Sequence, residues 1–361
     1  MKRFVAPLAA LLVLAGCAAA EDPPAAADPA CESTPAVDLT QPEGWIGQIP
    51  AQSETTSLVI DDGKGTVVDH RPDAVQPLAS AVKVVHLAAY AQAVAAGKLD
   101  PNEQVPILDW ERWHASGVDG GAHPQALTRL GIPNNGVFPD DLSGTVKLDD
   151  MVSAMIQESD NATADYLRYR LGDQALIDAA ATGGWADFQV PTLVGSTLGA
   201  VDPEHPTGDL WPLAQRFAFD DAFRVAYSGT LVGTTPLSEQ AEYLSQNGPM
   251  GTASELTSVY RSILSGTFGA ATDTIRRQLE WRPAPDGFTA MGFKGGSVPG
   301  VLTQAFEFTL DDGSQATAVW LMSGMDESTF TSVLENFGNQ QQLIIDAARD
   351  RATLDRIACV A

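Results

Sequence analysis

The chain alternates between two hydrophobic periods. Residues 56–70, TSLVIDDGKGTVVDH, are two β-branched runs around a glycine-containing turn, which predicts a hairpin. From about Ala81 the apolar positions recur at helical spacing and stop at Gly97, a natural residue just past a helix end. LDDMVSAMIQES (148–159) places Leu148, Met151, Val152, Met155 and Ile156 on one helical face, and residues 162–171 and 173–181 predict further helices. Thr252 and Glu255 have the form of a capping box opening a helix to about Leu264. Residues 288–323 return to the β period in three apolar runs, the last two joined by an Asp311-Asp312-Gly313-Ser314 turn, and a final helix is expected over 327–349. Residues 100–145 and 183–236 show no clear period and are read as irregular.

Strands thus lie at both ends and helices fill the middle. Sequential hairpins favour antiparallel pairing. Two strands alone are barely stable, so the first hairpin is expected to join the last three strands in one sheet. The expected class is α/β in the α+β sense: an antiparallel sheet of about five strands, flanked by terminal helices, with the middle helices as a second, all-α lobe.

The first residues follow another rule. Lys2 and Arg3 precede an apolar run at 4–14 that is too short to cross a bilayer, and LAGC follows at 14–17. This is the pattern of an export signal, and LAGC resembles a bacterial lipoprotein box, which implies cleavage before Cys17 and lipidation of its sulfur. Residues 18–36 are Ala- and Pro-rich with almost nothing large to bury, as in a flexible tether. The expected organisation is a signal over 1–16, a disordered tether over 17–37 and one folded domain over 38–361, anchored by its lipid to the outer face of the bacterial cytoplasmic membrane. With Cys17 set aside, Cys31 and Cys359 remain; export permits a disulfide between them. The net charge of −25 opposes binding to nucleic acid or anionic lipid.

Three short segments stand out chemically. Ser80 and Lys83, in PLASAVKVVHLAAY, share a face if a helix starts at the serine. A helix N-terminus favours an oxyanion, and a desolvated lysine beside it can accept a proton. Alone, this spacing also suits a capping serine and a surface lysine. Ser159-Asp160-Asn161 sits between two predicted helices, where a loop projects a hydroxyl and an amide together; all three residue types also cap helices well. Lys294-Gly295-Gly296-Ser297 falls on a predicted strand, where a lysine is costly unless it faces a cavity or guards an edge.

Their order sharpens the picture. S-x-x-K, then S-D-N, then K-x-G-[ST] resembles the serine β-lactamase and D,D-peptidase superfamily, most of all class A β-lactamases. The resemblance spans about residues 39–349. It implies Ser80 as the acylated nucleophile, Lys83 as its activator, Ser159 as proton relay to the leaving nitrogen and Asn161 as holder of a substrate amide. It also implies Lys294 and Ser297 as carboxylate binders, Gly296 beside them in the substrate-binding set, and an oxyanion hole from the backbone N–H groups of Ser80 and Ser297. The implied partner is a small acyl substrate: a β-lactam, a peptidoglycan-derived D-alanyl peptide or a small ester. A monomer is expected. A catalytically weak envelope-binding protein on the same fold is the alternative.

The chain also departs from the pattern. Gly295 stands where the family usually has Thr or Ser. Class A enzymes carry a loop glutamate after S-D-N that drives water onto the acyl-enzyme; residues 183–201 contain no Glu, and Glu204 is the first available. Slow release of the acyl group is therefore expected. His70, His86, His114, His123 and His205 show no metal-ligand spacing, so no metal site is expected. Trp110 and Trp113 are read as packing residues rather than cleft lining. No dinucleotide or P-loop glycine pattern occurs, so no cofactor is implied.

Overall fold

The structure is a computed structural model that describes residues 31, 33–230 and 235–361. The stretch read as an export signal, the LAGC segment with Cys17 and most of the expected tether lie outside the described residues.

The main sheet is antiparallel throughout. Its strands are β1 (Thr56–Asp61), β2 (Val67–His70), β3 (Phe288–Phe293), β4 (Gly296–Val298), β5 (Val301–Leu310) and β6 (Gln315–Met322). The order is β2-β1-β6-β5-β3, with β4 paired to the other end of β5. The register sets Val59 opposite Val319, and Val319 opposite Ala305. The opening hairpin therefore joins the last strands, as its instability alone required. Central strands β5 and β6 are buried almost throughout, because helices cover both faces, and they lose the period-2 alternation that the edge strand β2 keeps.

One core lies between the sheet and the terminal helices Gly44–Ala51, Glu327–Arg349 and Arg351–Ala358, with Trp45, Phe306, Trp320, Ile344 and Leu354 at its centre. The larger core fills the other face and the helical lobe. Its axis is the helix Lys83–Ala95, of whose thirteen residues ten are buried. A helix enclosed on nearly every side has little room for a polar stripe, and here all but three positions are buried. Gly97, at φ 68°, stands just beyond its end, as its place in the pattern predicted. The capping box forms between Thr252 and Glu255 and opens Ala253–Leu264.

The structure corrects the two stretches read as irregular. Residues 100–145 contain the helices Ile107–Glu111 and Ala122–Arg129 and a short strand pair joining residues 104–106 to 145–147. Residues 183–236 contain Leu193–Val201, Trp211–Phe219 and Asp221–Thr230. These helices run two to three turns. LVGSTLGAV carries two glycines and is buried at all but one position, so nothing in it alternates. The Lys294 segment also differs: β3 ends at Phe293 and β4 begins at Gly296, leaving Lys294 and Gly295 in a break between strands.

The chain ends meet. Cys31 and Cys359, separated by 328 residues, form a disulfide. Pro35 and Ala36 lie against Gly47 so closely that a side chain there would strike the Pro35 carbonyl. The last part of the Ala/Pro-rich stretch is thus fixed to the domain.

Candidate active site

Three segments far apart in sequence converge on one cleft of about 510 Å³ between the sheet and the helical lobe. The first carries Ser80. A two-residue strand, Gln76–Pro77, pairs with Met250–Gly251, and the Leu78 N–H donates to the Pro249 carbonyl at 2.8 Å. The chain then turns through Ala79, whose φ of 47° is left-handed and costs a non-glycine residue roughly 1–2 kcal/mol. A 3₁₀ turn, Ala79–Val82, follows and feeds the helix that starts at Lys83. Ser80 therefore sits on a strained turn at the mouth of a buried helix. β4 presses against this turn: a Cβ on Gly296 would stand 2.5 Å from the Ser80 nitrogen. Only glycine lets the strand lie that close.

The second segment is the Ser159-Asp160-Asn161 loop between helices Leu148–Gln157 and Asn161–Leu171. Asp160 is its anchor. Its buried carboxylate caps the second helix by accepting from the Ala162 and Thr163 N–H groups at 3.3 and 2.7 Å. Ser159 is left-handed, φ 71°, which turns its carbonyl and hydroxyl toward Lys83.

Lys83 is fully buried, and its amine donates to four oxygens: the Ser159 carbonyl at 2.5 Å, Asn161 Oδ1 at 2.6 Å, Ser80 Oγ at 2.9 Å and Ser159 Oγ at 3.4 Å. The two closest can only accept. They claim two N–H bonds, so the remaining position on nitrogen faces the serine hydroxyls. As an ammonium, Lys83 donates there; as an amine, it offers Ser80 a lone pair. Burial pushes its pKa down to about 7, against the opposing pull of Asp160, Asp165 and Asp119. The group is thus poised between the two states near neutral pH.

The third segment brings Lys294. Its Nζ donates to Ser159 Oγ at 2.9 Å and to the Gly295 carbonyl at 2.7 Å. Burial, then the charges of Lys83 and Arg282, hold its pKa well below the usual lysine value. Ser297 lies on β4 at the cleft wall. Gly295 has a local cause: a Cβ there would stand 2.7 Å from the Phe293 ring, so that ring occupies the space of the missing hydroxyl side chain.

Sequence reasoning missed Arg282. It lines the cleft, half-buried, with its guanidinium 4.8 Å over the Phe293 ring and 4.9 Å over Trp281. No carboxylate pairs with it among the described residues, although acidic residues outnumber basic ones 46 to 21 in the sequence. A cation kept unpaired in so acidic a protein, beside the Nζ of Lys294, suits an anionic ligand group. Trp281-Arg282-Pro283 carries no pattern that marks it in advance.

The opposite wall is the helix Leu193–Val201. Asp165, on the helix that follows Asn161, pins its first turn by accepting from the Thr192 hydroxyl and from the Leu193 and Val194 N–H groups. The helix shows the cleft Leu193, Ser196, Thr197, Ala200 and Val201, and no carboxylate. Glu204 is exposed and outside the cleft. Two carboxylates do line the cavity. Glu158 is held by Arg129 through both oxygens, and Asp119 accepts from the Gly121 and His123 N–H groups.

Trp110 and Trp113 are buried, as packing residues. Trp110 also donates its indole N–H to Asp160 at 2.9 Å. His114 and His123 stack at 4.2 Å between ring centres, behind the same loop.

Residues 48–210 match the model of the beta-lactamase enzyme family. No curated protein matches the sequence. Among solved structures, the β-lactamase of Sphaerobacter thermophilus superposes at TM-score 0.57 with 18% identity, over 86% of this chain and 98% of that one. The chromosome-encoded β-lactamase of Vibrio parahaemolyticus gives 0.55 with 13% identity, over 87% and 100%. A variant of PBP-A, solved as its acyl-enzyme complex with penicillin G, gives 0.50 with 14% identity, over 82% and 95%. The chain has the fold of the serine β-lactamases and penicillin-binding proteins.

Proposed function

We propose that this chain, with its serine β-lactamase and penicillin-binding protein fold, is a serine acyl-transfer enzyme that forms a covalent acyl-enzyme at Ser80 and releases it slowly. The observation that carries this reading is the buried amine of Lys83, 2.9 Å from Ser80 Oγ, with two pure acceptors fixing its other N–H bonds.

The amine of Lys83 takes the Ser80 proton as Oγ attacks the substrate carbonyl. The backbone N–H groups of Ser80 and Ser297 hold the resulting oxyanion, each donor worth roughly 3–4 kcal/mol in comparable sites. As the tetrahedral intermediate collapses, Ser159 passes its proton to the leaving nitrogen and is reprotonated by Lys83 or Lys294, both of which reach its oxygen. Lys294, Ser297 and Arg282 receive a carboxylate on the leaving-group side, and Asn161 holds an amide on the acyl side. β-Lactams and D-alanyl peptides of peptidoglycan carry that combination; small esters test the same serine without it. The cleft-facing positions of Leu193–Val201 carry no carboxylate, which supports slow hydrolysis of the ester.

The site is placed outside the cytoplasm in this reading. The LAGC segment supports lipidation at Cys17, and the disulfide suits an oxidising compartment. Intact-mass analysis with a penicillin and with an activated ester, on wild type and Ser80→Ala, tests the chemistry. The reading expects a mass increase of one acyl group that persists and is absent in the variant. Equal labelling of both proteins, or none of either, overturns it.

A further inference from the structure

Behind the Ser159–Asn161 loop lies a buried ionic chain that the acyl-transfer chemistry does not use directly. His123 is fully buried. Its Nδ1 stands 2.9 Å from Asp160 Oδ1 and its Nε2 2.5 Å from Glu111 Oε1. Ionised carboxylates only accept, so both ring nitrogens donate and the ring is an imidazolium. Trp110 meets it edge-on, and His114 stacks on its face with Nδ1 3.6 Å from Asp119. Burial opposes a charge on His123, but Asp160 and Glu111 outweigh it and lift its pKa to about 10. Burial, and then the charge on His123, push His114 the other way, toward the neutral ring.

Asp160 is bonded in sequence to the two residues that grip Lys83. Three carboxylates act on the Lys83 amine, from Asp160, Asp165 and Asp119, with Asp160 the strongest; Lys294 and His86 are its other titratable neighbours. An unneutralised Asp160 would hold Lys83 in its ammonium form, which cannot take a proton.

We propose that His123 is a positioning residue of the proton-transfer centre: its buried imidazolium neutralises Asp160 beneath the catalytic loop and so leaves Lys83 free to act as an uncharged base. This rests on the reading of Lys83 as the base for Ser80. Glu111 completes the device by holding the second N–H of the ring.

His123→Asn tests it, because an asparagine amide can still donate where Nδ1 stands but carries no charge. Two readouts are taken across pH 5–10: the rate of Ser80 labelling by an activated ester, and the 13Cε shift of Lys83 in [13C]lysine-labelled protein. The chain has six lysines, and the Lys83 signal is assigned by its loss in Lys83→Arg. Both midpoints are expected to rise by about one pH unit, the size of one charge removed from a buried neighbourhood. Above the new midpoint the labelling rate recovers. Glu111→Gln, which removes a negative charge, is expected to move both midpoints the opposite way by less. Unmoved midpoints, or shifts of the same sign in the two variants, overturn the proposal; a rate lost at every pH with the Lys83 titration unmoved does so too. Absence of Ser80 labelling in wild type contradicts the acyl-enzyme instead, and the Lys83 titration still decides the role of His123.

Discussion

The two walls of the cleft are built differently. The wall of Ser80, Lys83, Ser159 and Lys294 is dense with charge and hydrogen bonds, and its backbone is strained at Ala79 and Ser159. The facing wall, Leu193–Val201, is fastened as firmly, through three hydrogen bonds to Asp165, yet presents three alkyl side chains and two hydroxyls. Rigid placement is common to both; only the first offers the cleft a base, Lys83, whose protonation changes near neutral pH. Under the proposed acyl-transfer reading, the difference separates making an acyl-enzyme from breaking it, because each step needs its own base.

Removing the base breaks the comparison from its active side. Lys83→Met, which keeps the buried stem, is expected to slow Ser80 labelling by roughly 10³-fold or more. Stopped-flow or quenched mass measurements read this directly. Supplying a base to the inert side sharpens it. Thr197→Glu puts a carboxylate on the cleft-facing turn, and release of the acyl group is expected to accelerate roughly ten- to hundredfold while its formation changes little. Decay of the labelled mass measures that. Arg282→Ala leaves both walls intact and removes a cation from the leaving-group end. The KM for a substrate with a carboxylate there is expected to rise roughly tenfold, and that of a neutral ester to stay. Cys31→Ser with Cys359→Ser is the remote control. Neither rate is expected to move, while chemical denaturation shows a loss of about 2–5 kcal/mol.

Legibility in the sequence followed the same division. The placement of Ser80, Lys83 and the Ser159–Asn161 loop was readable because it depends on local spacing. A serine and a lysine three apart share a helical face, and a short polar triplet between two apolar periods makes a projecting loop. The sheet was readable because β-branched runs and the Asp-Asp-Gly-Ser turn fix it locally, and the final helix keeps its expected bounds. The facing wall was not. LVGSTLGAV is buried nearly all round, so its helix leaves no alternation, and its anchor Asp165 lies far back in the chain. Glu111, His123 and Asp160 form one buried chain from three separate elements, and no spacing rule joins them. Arg282 is recognisable only by the partner it lacks, which is a property of the folded molecule. Lys294 was expected within a strand, but the chain breaks there, and the break is what turns its amine toward Ser159.

The central claim is that a buried, uncharged lysine removes the serine proton. Single-turnover acylation of Ser80 by a penicillin, followed by intact mass from pH 5 to 10, tests it most directly. Lys83 is depressed to about 7, so below that value most of the amine is protonated. The account predicts a rate that falls about tenfold per pH unit below 7 and levels off above it. A rate independent of pH across this range, or one that rises only near the ordinary lysine value of about 10.4, contradicts it.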